Sequence, residues 1–205
     1  MIINSINQIQ NPMRRFFVLL LTLFISVALN AQEHLTFKNI PIEGNMSNFI
    51  TKMKAAGFKL NEMKDVGAIM TGPFVGYDCT LAILCSRSSK TVWKVVAHLP
   101  SQVSWTSTRS QYDDFKERYT KKYGAPTQSF EFFLDPYERG DGYELQAIKL
   151  EKGHYVSYWD TPGGMIAVEI AASSNTDGWI KIVYEDAIGA DVQSKEKDQM
   201  IDDEI

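Results

Sequence analysis

Metal, thiol and triad chemistry find few materials in this chain. Its 205 residues include only two cysteines and three histidines. His34, His98 and His154 have no second histidine or carboxylate at ligand spacing, and no HExxH, paired CxxC or phosphate-loop pattern occurs. A GxSxG elbow is missing as well. Cys79 and Cys85 lie six residues apart. On one extended strand that spacing separates their Cα atoms by roughly 20 Å, whereas a disulfide needs less than about 7 Å. Both point to the same strand face and read as small buried hydrophobes. Positive charge is also in deficit, with 21 Lys plus Arg against 25 Asp plus Glu, a net of −4. An acidic chain repels phosphate backbones, so no nucleic acid is expected as a partner. No cofactor is expected either.

The longest apolar run is short. Phe16 to Leu29 spans 14 residues, apolar apart from Thr22 and Ser26, after Arg14 and Arg15 and before Asn30-Ala31-Gln32. That is the order of a secretory signal peptide, and a bilayer-crossing helix needs about 20 apolar residues. Residues 1–31 are therefore expected to be cut away after Ala31, leaving no stable membrane anchor. No cysteine follows the run to carry a lipid. Arg14 and Arg15 are the only charges in that piece, so the rest of the chain is more acidic than the whole. The expected location is periplasmic or extracellular.

In residues 32–205 the apolar spacing alternates between helical and strand periods. Met46, Phe49, Ile50 and Met53 make one stripe over Asn45 to Ala56, with Gly57 as its stop. Tyr112, Phe115, Tyr119 and Tyr123 make another over Gln111 to Tyr123, with Ser110 and Asp113 at its start and Gly124-Ala125-Pro126 at its end. Strand patterns cover Tyr77 to Cys85, Val92 to Leu99, Phe130 to Leu134, Tyr143 to Leu150, Tyr155 to Asp160, Met165 to Ala172 and Trp179 to Tyr184. Short turns such as Thr161-Pro162-Gly163-Gly164 join them, and short turns join antiparallel neighbours. The expected class is α+β: two layers, a mainly antiparallel β-sheet meander with two amphipathic helices on one face. A helix followed by about four strands over 35–100 is succeeded by a helix followed by about five over 101–185. A single domain over 32–185 and a tandem α-β-β-β-β repeat both remain open. Residues 186–205 hold seven acids and two lysines, the composition of an acidic, loosely ordered tail.

Aromatics are the richest feature, with four tryptophans and nine tyrosines. Trp93 and Trp179 sit among apolar neighbours and read as core. Trp105, in a polar stretch, and Tyr155, Tyr158 and Trp159, near a proline-glycine turn, are the candidate partner-binding residues, because Tyr and Trp combine apolar area with a polar tip. Ordinary strands favour the same residues. Asp135, Glu138 and Asp141 form a weak candidate Ca²⁺ loop. Their spacing is not that of an EF-hand, and a solvated hairpin loop is the simpler account of them.

Gly72-Pro73-Phe74-Val75-Gly76-Tyr77, Lys122-Tyr123-Gly124-Ala125-Pro126 and Ile182-Val183-Tyr184-Glu185-Asp186 resemble stretches of uncharacterised secreted proteins of anaerobic Gram-negative bacteria. These motifs are turns and strand residues, so the resemblance implies a shared fold and no stated activity. In element order alone the chain is similar to β-lactamase-inhibitor-protein-like domains, in which a helical layer backs a sheet whose open face can grip a partner. It lacks their disulfide-ready cysteines, and no functional residue carries over. The expected function is that of an exported, non-enzymatic binding protein of the cell envelope, using an open sheet face to contact a protein, peptide or glycan. The alternatives are an envelope hydrolase with an unfamiliar site and a periplasmic small-ligand carrier.

Overall fold

The stripe of Met46, Phe49, Ile50 and Met53 folds as helix α1 (Met46–Ala55), and all four side chains are buried. Asn45 caps it, its side chain accepting from the Ser47 N–H at 2.9 Å. This is a computed structural model and describes residues 33–204; the expected signal peptide, residues 1–31, lies outside them. Ahead of α1, β1 (Thr36–Phe37) and β2 (Ile40–Pro41) form a small hairpin. Phe37 drops from it between the rings of Phe74 and Tyr184, with centroids 4.7 and 5.3 Å away.

Four strands follow: β3 (Lys59–Lys64), β4 (Gly67–Phe74), β5 (Tyr77–Cys85) and β6 (Val92–His98). Then come α2 (Trp105–Tyr123), β7 (Gln128–Phe133), α3 (Glu144–Lys149), β8 (Gly153–Thr161), β9 (Gly164–Ser174), β10 (Asp177–Asp186) and α4 (Ala187–Asp202). The eight long strands form one sheet in the order β3-β4-β5-β6-β10-β9-β8-β7, antiparallel at every pair. The expected α+β class with an antiparallel sheet is what the chain adopts. The sheet is two four-stranded meanders joined through their last strands, β6 and β10.

The joint between the meanders repeats in detail. Asn45, at the entry to α1, bridges to Thr91 at the start of β6, and Gln102, just before α2, bridges to Gly178 at the start of β10. Each helix thus enters by pinning itself to the last strand of its own half.

One sheet face meets α1, α2 and α3. Leu81, Ile83, Val95, Ile182, Val168 and Ile170 bury there in one cluster with Phe49, Phe115 and Leu145, each such side chain contributing about 1.5–3 kcal/mol. Cys79 and Cys85 lie on this face as free, buried thiols. Burial drives their acidities down, lifting the Cys79 pKa to about 11.

Three segments differ from expectation. α2 begins six residues early because Ser104, not Ser110, caps it, accepting from Ser107 N–H at 3.2 Å. Tyr143 to Leu150, expected as a strand, is helix α3: Leu145 and Ile148 are three residues apart and both buried, so the helical period wins. The acidic tail is helix α4 over most of its length. Asp186 caps it through the Gly189 N–H at 2.7 Å, and the backbone of Gly189 lies hard against Val92 and Trp93. Among the described residues no helix is long and apolar enough to cross a membrane.

Candidate functional site

The face of the sheet away from α1 and α2 is built by the other strand parity. Cross-strand register aligns Ile69, Ala82, Val96, Val183, Ala167 and Tyr158 in one row across six strands. Every member is apolar or aromatic. Val156, Ala167 and Val183 form a second buried cluster, separate from the main core, with Val96, Tyr158 and Met165 packed on it.

Polar rows flank this stripe. Above it, Lys181 pairs with Glu169 at 2.5 Å. Below it, Lys94 pairs with Glu185 at 2.6 Å, and its ammonium lies 4.6 Å from the Trp93 ring centre. All four side chains are partly exposed, so their alkyl stems can shield the stripe while their charges stay wet. His98 joins the Lys181 row and stacks on Trp179 at 6.2 Å. Burial, followed by the nearby Lys181, holds its pKa below the usual histidine range, keeping the ring neutral at pH 7.

At the sheet edge the row itself ends, since Gln128 is the partner of Tyr158 on β7, but the neighbouring rows there are aromatic. On β7, Phe130 and Phe132 are 43 % and 41 % exposed on the same face, and Phe130 meets Tyr158 edge-on at 6.4 Å. Two hollows flank the central rows. One of about 170 Å³ lies beside Gly67, Ile69, Ala82 and Leu84. The other, about 310 Å³, lies beside His154, Val156 and Glu169.

The sequence-derived candidates divide between the two faces. Tyr158 is on the open face and half-buried. Tyr155 and Trp159, three and one positions away and so of the opposite parity, are on the helix side and 1 % exposed. The Trp159 indole N–H donates to the Gly124 carbonyl at 2.9 Å, and the Tyr155 hydroxyl accepts from Arg139 at 3.0 Å. Trp105 opens α2 and packs edge-on against Tyr155 at 4.8 Å. The four are thus not brought together into one surface.

Asp135, Glu138 and Asp141 do not converge either. Asp141 accepts from the Glu138 and Tyr143 backbone N–H groups at 3.0 and 2.7 Å, which is loop-closing chemistry. Among the described residues no group of three or more His, Cys, Asp or Glu could hold a metal ion.

Val96, Val183, Ala167 and Phe130 were missed as site residues, although a signal for them was present. Val95-Val96 and Ile182-Val183 put apolar side chains on both strand parities, the pattern of a strand covered on both faces. No family model, curated protein or solved structure matches this chain.

Proposed function

We propose that this chain is an exported binding protein of the cell envelope that holds a partner protein against the open face of its sheet. One observation carries the reading: an apolar row runs the width of six strands, bordered by ion pairs, and next to its Tyr158 end the edge strand β7 exposes two phenylalanines in the neighbouring rows. A dry centre with a charged rim is the anatomy of a protein–protein contact. An open surface spread over six strands suits a protein better than a small molecule, which needs enclosure.

The test is site-specific photo-crosslinking in the producing cell, with the crosslinker placed at Tyr158, at Phe130 and, on the helical side, at exposed Glu117. Tyr158 and Phe130 are expected to capture the same envelope protein and Glu117 not to, and Phe130→Asp should abolish the capture from Tyr158 without changing the melting temperature. In the crosslinked product this chain is expected to begin at Gln32. Equal capture from Glu117, or none from Tyr158, would overturn the reading. Capture of glycan alone would also overturn it.

A further inference from the structure

The second half of α2 turns a different surface outward. Phe115, Arg118, Tyr119, Lys122 and Tyr123 recur at helical spacing along one side of α2. Facing them are two tight turns: Lys38-Asn39, between β1 and β2, with φ of 50° and 62°, and Val75-Gly76, between β4 and β5, with φ of 47° and 86°. The Lys38 ammonium donates to the Pro73 carbonyl at 2.8 Å, tying one turn to the other. Between the turns and α2 a cleft of about 250 Å³ opens, half enclosed.

Its lining is chemically one-sided. Aromatic rings make the interior, and the charged residues are Lys38, Arg118 and Lys122, with no carboxylate among the described lining residues. That is an unexpected concentration of positive charge in a chain of net −4. Lys38 is engaged with Pro73, whereas among the described residues Arg118 pairs only with Asp114, a surface contact at 2.8 Å one turn away. Lys122 lies over the Tyr123 ring at 4.8 Å.

The floor adds a directional feature. The Tyr119 and Tyr184 hydroxyls hydrogen-bond to each other. Burial holds both phenols well above their usual acidity range, so both stay protonated. Two hydroxyls sharing one bond use one proton, and the accepting hydroxyl keeps a second to donate. Val75, a β-branched residue in the left-handed region, is half-exposed at the rim. Such a conformation persists only where the surroundings enforce it.

We propose that this cleft is a second binding site, for a small aromatic carboxylate bearing an oxygen acceptor at the far end of its ring. The ring sits among Phe74, Tyr119 and Tyr123. The far oxygen accepts the spare proton of the Tyr119–Tyr184 pair, and the carboxylate reaches Arg118 and Lys122 at the mouth. Charge complementarity selects the anion, and the aromatic walls select the ring.

Calorimetric titration of the purified chain with 4-hydroxyphenylacetate, 4-hydroxyphenylacetamide and phenylacetate tests each element separately. The first compound is expected to bind. The amide should bind about tenfold more weakly, and so should the acid to the Arg118→Gln/Lys122→Gln variant, as lost charge-assisted hydrogen bonds imply. Phenylacetate should bind several-fold more weakly than its hydroxylated analogue. The Tyr119→Phe/Tyr184→Phe variant should erase that difference, since it removes both hydroxyls and leaves no orphan. Melting curves show whether each variant is folded. Equal binding of acid and amide, indifference to either double substitution, or no heat up to about 10 mM ligand would overturn the proposal.

Discussion

The first half of the sheet, β3 to β6, and the second, β7 to β10, follow one layout and fill it with different chemistry. Around α1 the core is Met46, Phe49, Ile50 and Met53 against Met70, Leu81 and Ile83. Around α2 it is Tyr112, Tyr119, Tyr155 and Trp159, and the polar ends of these rings are hydrogen-bonded. Tyr112 and Ser157 share a bond of 2.7 Å, and Ser157 meets Ser129 at 2.9 Å. Glu131 joins from β7, accepting from Lys116 at 2.6 Å and from Arg109 at 3.2 Å. A wholly apolar core fixes volume more than orientation, whereas a satisfied polar network fixes which side chain faces which. The better-defined half is also the one that must aim α2 at the cleft beside Tyr184.

The edges differ in the same sense. β3 carries Lys59, Glu62 and Lys64 and a register shift between Leu60 and Glu62, devices that discourage another strand from adding on. β7 exposes Phe130 and Phe132. The edge left unprotected is the one where the apolar stripe ends.

The largest effect is expected in the first half. Phe49 is fully buried with only packing to hold it, so Phe49→Ala should cost about 3–5 kcal/mol, read as a shift in urea midpoint at constant slope. A loss below about 1 kcal/mol would show that the α1 core refills easily and that the halves are less unlike than their contacts imply.

In the second half, Ser157→Ala should cost about 1–3 kcal/mol, far more than one lost oxygen in an apolar site, because the Tyr112 hydroxyl is left with only a 3.4 Å contact to Glu131. Adding Tyr112→Phe should then cost little more. A double-mutant cycle reads the coupling directly, and strict additivity would break the distinction between a network and a set of separate contacts.

These contrasts were partly legible in the sequence. The α1 stripe, the alternation of Cys79, Leu81, Ile83 and Cys85, and the short turns were enough to give an antiparallel sheet with helices on one side. Strand order was not legible, because the β6–β10 pairing joins residues 83 to 91 positions apart and no local pattern encodes it. α3 was lost because Leu145 and Ala147 satisfy a period of two as well as Leu145 and Ile148 satisfy a period of three, and only packing decides. The site suffered from grouping by proximity. Tyr155, Tyr158 and Trp159 look like one cluster in sequence, yet parity alone sends Tyr158 to the other face. The cleft was invisible for a different reason: its walls come from Lys38, Val75, α2 and Tyr184, four stretches that meet only after folding.

The smallest expected effect lies where the halves are tied together. α4 leaves the end of β10 and reaches the β5–β6 turn, where Glu196 accepts from the Ser88 and Ser89 N–H groups at 2.7 and 3.0 Å and from the Ser86 hydroxyl at 3.0 Å. Partial burial opposes its charge, but these donors outweigh burial and hold the Glu196 pKa at about 2, below its ordinary 4.5. A carboxylate depressed by folding stabilises the fold above its unfolded pKa and loses that contribution as pH falls towards the folded value. Wild type should therefore exceed Glu196→Gln in stability at pH 6 to 7, by about 1 kcal/mol or less after solvent screening. That corresponds to roughly 2–4 °C in melting temperature for a domain of this size. The gap should close between about pH 4.5 and pH 2, while other carboxylates lower both curves together. A gap independent of pH would mean that Glu196 acts through shape alone, and that α4 binds the first half to the second without help from its charge.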